Sequence, residues 1–105
     1  KHLSRTKVIV QIVDVYEKGP NEIIEEIKEL STEITNFDPM LINKVKWLAL
    51  NKIDLISTDK LEELKSVLEN QYKDNLNIYC ISAAKKEGTW QLIRDIGEFM
   101  ETSNE

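Results

Sequence analysis

Three short apolar runs constrain most what this chain can fold into: "VIVQIV" at 8–13, "WLALN" at 47–51 and "NIYCIS" at 77–82. Each suits a pleated, buried surface. The first is a near-continuous β-branched run, as expected of a strand covered on both faces. The stretches between them have another period. Ile23, Ile27, Leu30 and Ile34 recur at helical spacing, as do Leu61, Leu64 and Leu68, and then Leu92, Ile93, Ile96, Phe99 and Met100. Breakers separate the periods. "GP" at 19–20 precedes a helix that Asn21 can cap, and "FDPM" at 37–40 ends it. Ser57 or Thr58 can cap the second helix. "KKEGT" at 85–89 is a turn with Thr89 as the third cap, and "ETSNE" is expected to fray. The order is β-α-β-α-β-α. Helical crossovers between buried strands imply an α/β fold with a parallel sheet and right-handed connections.

At 105 residues this is one domain or part of one, without repeats, low-complexity segments or internal linker. A content of 41% hydrophobic and 31% charged residues suits a globular fold rather than a disordered tail. The apolar runs are too short to cross a bilayer and no signal peptide opens the chain, so no membrane partner is expected. One cysteine, Cys80, cannot form an internal disulfide, which fits a reducing cytoplasm. A net charge of −5 argues against nonspecific binding to a nucleic-acid backbone. Cys80 reads as a buried strand residue rather than a nucleophile, since no histidine is near it in sequence. His2, the only histidine, reads as a surface residue and cannot build a metal cluster. Trp47 and Trp90 read as packing residues. "EEIKE" and "DKLEELK" read as solvated helix faces.

In parallel α/β sheets, ligands bind at the carboxyl ends of the strands. Two polar motifs fall there: "NKID" at 51–54 after the second strand, and "SAA" at 82–84 after the third. Guanine presents two adjacent donors, N1–H and N2–H₂, and an acceptor at O6. The Asp54 carboxylate can accept from both donors in a bidentate, charge-assisted pair. Adenine would leave that carboxylate unpaired, the costly kind of mismatch. The stem of Lys52 can lie over the base, and the Asn51 amide can tie this loop to a neighbouring one. Backbone N–H groups of the next loop, notably that of Ala83, can donate to O6, and the Ser82 hydroxyl can brace Asp54. "NKxD" alone arises by chance in roughly one chain of this size in a hundred. Its place behind a buried strand, with "SAA" one β/α unit later, makes the pair specific. Asp14 ends the first strand. A plain polar strand end is the default there, with a role near a nucleotide as the alternative.

With these motifs, "KHLSRTKVIVQIVDV", "LALNKIDL" and "ISAAKKEGTWQLIRDI" resemble the Obg family of translation-factor-class P-loop GTPases. The resemblance covers nearly the whole chain and is weakest in "YEKGPNE" and "ITNFDPMLINK". It implies a partial three-layer Rossmann-like P-loop NTPase fold, with residues 1–105 as the C-terminal half of a G domain. It assigns Asn51, Lys52 and Asp54 to base reading and Ser82 and Ala83 to a second base contact. No "GxxxxGK[ST]" phosphate loop occurs in the chain. By the resemblance, that loop, the Mg²⁺-binding threonine and the "DxPG" switch belong upstream of Lys1, and "KHLSRT" at 1–6 is the tail of the second switch region. The ligand implied is GTP or GDP, with Mg²⁺ bound by residues outside this chain. The parent is expected to hydrolyse GTP and to dock on a ribosomal large-subunit assembly intermediate. A different class remains open: a non-catalytic α/β docking module that kept the fold without hydrolysis. Either way, strand 8–13 is expected to be an unguarded edge through which the chain self-associates.

Overall fold

The computed structural model describes residues 8–72 and 74–103. The readings of "KHLSRT" and His2, and the last two residues of "ETSNE", lie outside the described residues. Six elements alternate as expected: β1 (Ile9–Asp14), α1 (Pro20–Phe37), β2 (Val45–Asn51), α2 (Thr58–Tyr72), β3 (Asn77–Cys80) and α3 (Thr89–Ser103). The strands form one parallel sheet in the order β1-β2-β3. This is an α/β fold consistent with part of a Rossmann-like P-loop domain.

Alternation along the strands makes two cores. Val13, Leu48 and Leu50 pack against Ile23 and Ile27 of α1 and Leu64 and Leu68 of α2. Trp47, Ala49 and Ile81 pack on the other face against Leu92, with Ile96 and Phe99 of α3 partly buried beside them. Phe99 meets Trp47 edge-on, with ring centroids 5.2 Å apart. The Tyr79 hydroxyl bonds the Asp95 carboxylate, a second tie between β3 and α3.

Several boundaries differ from expectation. Gly19, not Asn21, is the N-cap of α1. Its N–H donates to Glu22 Oε1 (2.9 Å), and Pro20 takes the first helical position, where a missing N–H costs nothing. After α1, Asp38 accepts the Met40 N–H (3.0 Å) and starts a 3-10 turn, Pro39–Lys44, that periodicity did not reveal. β2 begins two residues earlier than its apolar run, and β3 stops at Cys80. Ser57 caps the second helix, its Oγ accepting the Lys60 N–H (3.1 Å).

Two burial expectations fail for one reason. One helix, α3, packs into the second core, where two serve the first. Ile12 of β1 is therefore 55% exposed, so β1 is not covered on both faces. Trp90 is 73% exposed and Ile93 60%, so Trp90 is no packing residue in this chain. The buried polar residue of β1 is Gln11, which donates to Ser31 Oγ on α1 (3.2 Å).

Candidate functional site

The parallel register delivers the carboxyl strand ends to one edge. Asp14 pairs with Asn51, the last residue of β2. The Val15 N–H donates to the Asn51 carbonyl (3.0 Å), and the Ile81 N–H to that of Leu50 (2.8 Å), so the ladder runs on into both following loops.

The loop after β2 turns sharply. Lys52 is left-handed, at φ 72° and ψ 32°, which costs a side-chain-bearing residue about 1 kcal/mol. The single 3-10 turn Ile53–Leu55 follows and carries Asp54. It is closed by the Leu55 N–H on the Lys52 carbonyl (3.0 Å) and tied to the third loop by the Ile53 N–H on the Ile81 carbonyl (3.2 Å). The loop after β3 is closed by Ser82 and Glu87, which exchange both backbone bonds (3.0 Å each). Gly88 then adopts φ +74°, and a Cβ on it would lie 2.5 Å from the Cys80 carbonyl oxygen, so only glycine fits.

Side chains join the three loops. Asn51 Nδ2 donates to Asp14 Oδ1 (3.1 Å), and Asn51 Oδ1 accepts the Ala83 N–H (2.9 Å). A carboxylate only accepts and an N–H only donates, so the amide has one orientation. Lys52 Nζ reaches Asp14 Oδ2 (3.0 Å), stretching its stem from the end of β2 to the end of β1. The Lys52 bond holds the Asp14 carboxyl below its ordinary range; partial burial opposes this, and the Asn51 bond adds to it. Asp54 is exposed and, among the described residues, has no hydrogen-bond or ion-pair partner.

Asn51 ends β2, and Lys52, Asp54, Ser82 and Ala83 lie on the two loops at this edge, but one expected contact does not form. Ser82 is fully buried and its Oγ accepts the Lys85 N–H (3.1 Å), closing its own turn instead of bracing Asp54. The Ala83 N–H is engaged by Asn51. Asp14, for which a polar strand end is the default reading and a role near a nucleotide the alternative, bonds both Asn51 and Lys52, contacts that its sequence position alone does not specify. The signal for the alternative is that it ends a buried strand just as Asn51 does. Burial pushes the Cys80 thiol up, which suits a packing residue. Among the described residues, no group of three or more His, Cys, Asp or Glu side chains is placed to hold a metal, and no helix is long and apolar enough to cross a membrane. A cavity of about 470 Å³ lies elsewhere, near the amino ends of β2 and β3, lined by Gln11, Ser31, Asn43 and Tyr72 among others. It contains no motif residue.

The fold defines the chain as a Rossmann-like α/β domain, consistent with part of a P-loop domain. The comparisons narrow this class. The chain is 34% identical over 101 residues to the GTPase Obg of Buchnera aphidicola subsp. Schizaphis graminum, a match covering 96% of the chain. The likeness supports a fragment of an Obg-family GTPase, and the chain spans 30% of the length of that relative. No protein-family model and no solved structure matches it.

Proposed function

We propose that this chain supplies guanine-base recognition in a GTP-binding protein of the Obg family. Asp54 accepts from N1–H and N2–H₂ of guanine, and the stem of Lys52 lies over the base. Asn51 holds the two loops in register. The loop at Ser82 and Ala83 makes the second contact, O6 taking a share of the Ala83 N–H or the N–H of Ala84. The observation that carries this reading is the exposed Asp54 carboxylate, without a partner among the described residues, on an edge where a chain of three bonds links Lys52 to Asp14, Asp14 to Asn51 and Asn51 to Ala83. An unpaired acceptor beside a fixed frame is what a bidentate donor edge requires.

Residues 1–105 are, in this reading, the C-terminal half of the G domain. The whole protein hydrolyses GTP to GDP and phosphate in the cytoplasm and acts on a ribosomal large-subunit assembly intermediate. In this reading Mg²⁺ accompanies the triphosphate and is held by residues outside this chain. By itself the chain hydrolyses no GTP, because positioning and charge stabilisation of the phosphates supply nearly all catalysis in this class.

The test is Asp54→Asn in the full-length protein. The amide turns one acceptor into a donor facing a donor of guanine, a loss of about 2–4 kcal/mol. Xanthine carries a carbonyl at C2, which that amide matches. GTP affinity should fall and XTP affinity rise, while Asp59→Asn leaves base choice alone. An Asp54→Asn protein that still prefers GTP to XTP sinks the proposal.

A further inference from the structure

We infer that Asp14 is a positioning residue for base selection, acting through Lys52 and Asn51 on the loop that carries Asp54; this rests on the guanine reading above. The argument begins with where Asp14 is anchored. Val13 and Val15 on either side of it are fully buried in the first core. The backbone at residue 14 is therefore fixed by packing that a ligand does not touch. The loop it holds is anchored more lightly: Ile53 and Ile56 are only partly buried against the same core, and Lys52, Asp54 and Leu55 are exposed.

The loop is also under local strain, since Lys52 is left-handed without being glycine. Strained loops keep their shape only when neighbours over-determine it. Asp14 adds to the packing of Ile53 and Ile56 the polar side-chain bonds that hold Lys52 and Asn51. One carboxylate oxygen takes the Lys52 ammonium (3.0 Å), and the other takes the Asn51 amide (3.1 Å). The amide in turn holds the Ala83 N–H (2.9 Å). One carboxylate on a rigid strand thus sets the spacing of both loops. A bidentate pair tolerates little displacement, because both bonds of Asp54 to guanine fail together when the carboxylate shifts or tilts. Asp14 itself contacts no base in this account.

The two oxygens predict a graded series. Asp14→Asn keeps an oxygen for the Asn51 amide but turns an NH₂ toward Lys52, so only the ion pair is lost. Asp14→Ala loses both contacts. Neither substitution opens a buried void, because Asp14 is half-exposed.

The test compares GDP with IDP, whose base lacks the C2 amino group, by calorimetry on the full-length protein. A displaced Asp54 costs GDP two bonds and IDP one. The GDP-over-IDP preference should therefore shrink, with GDP affinity down about threefold in Asp14→Asn and about tenfold in Asp14→Ala. A residue that only supported folding, or only tuned the field at the phosphates, would weaken GDP and IDP equally. Equal weakening, or none, while Asp54→Asn abolishes the preference, overturns the inference and leaves the guanine reading standing. A wild-type protein without any preference for GDP over IDP overturns the guanine reading, and the inference with it. Should Asp14→Ala fail to fold, Asp14→Asn and Lys52→Met, which breaks the same ion pair from the other side, decide the matter. Their effects on the preference must not add in the double variant, and additive effects would show that the pair is not the device.

Discussion

Two glycines in the last third of the chain should respond to the same substitution with opposite signs. Gly88 is left-handed at φ +74°, and an added Cβ would lie 2.5 Å from the Cys80 carbonyl oxygen and 3.3 Å from Ile81 Cγ2. The left-handed backbone alone costs alanine about 1 kcal/mol. The contact has no cheap relief. Cys80 ends β3, paired with Leu50 in the sheet, and Gly88 follows Glu87, whose two backbone bonds to Ser82 close the loop. Its own carbonyl receives the Leu92 N–H (3.4 Å) at the start of α3. Backing away breaks one of these, so Gly88→Ala should lose about 2–4 kcal/mol in all. Gly97 lies within α3, where an added Cβ meets nothing within 4 Å. Gly97→Ala should gain about 0.5–1 kcal/mol from helix propensity. Urea unfolding followed by circular dichroism reads both, at unchanged slope. A Gly88→Ala loss below about 1 kcal/mol, or the same sign for both variants, would refute the packing described for the third loop. Because that loop carries Ala83, Gly88→Ala should also loosen guanine nucleotide binding.

Stability should carry a small acid signature from Asp14. Its folded pKa is below the ordinary value of 3.8, so the ion pair contributes above that value and the contribution is lost as pH falls through the folded pKa. The stability difference between wild type and Asp14→Asn should be flat above about pH 5, near 0.5 kcal/mol for a half-exposed pair, and should fade in more acid or in molar salt. Self-association should appear in sedimentation of the isolated chain, driven by the edge strand β1 and the exposed Ile12, Trp90 and Ile93. It should persist in high salt and weaken in Ile12→Lys; a stable monomer at high concentration would count against it.

Local pattern by itself determined the alternation of strands and helices, the parallel sheet and the placing of both motifs at the carboxyl strand ends. Each of these follows from period and punctuation within a dozen residues, as in the β-branched run before Asp14 or the spacing of Leu64 and Leu68. It also determined that Asn51 joins two loops, since an amide at a strand end has both a donor and an acceptor to spend. Only the tertiary structure decided what the amide holds. The partners Asp14 and Ala83 belong to other strand ends, and which atoms meet depends on strand order, register and the left-handed turn at Lys52. No local period encodes those. The same holds for the missed burial: Ile12 and Trp90 are as apolar as Ile23 and Trp47. They differ because α1 and α2 pack on one face of the sheet and α3 alone on the other, and apolar side chains cannot bury themselves where no second element meets them.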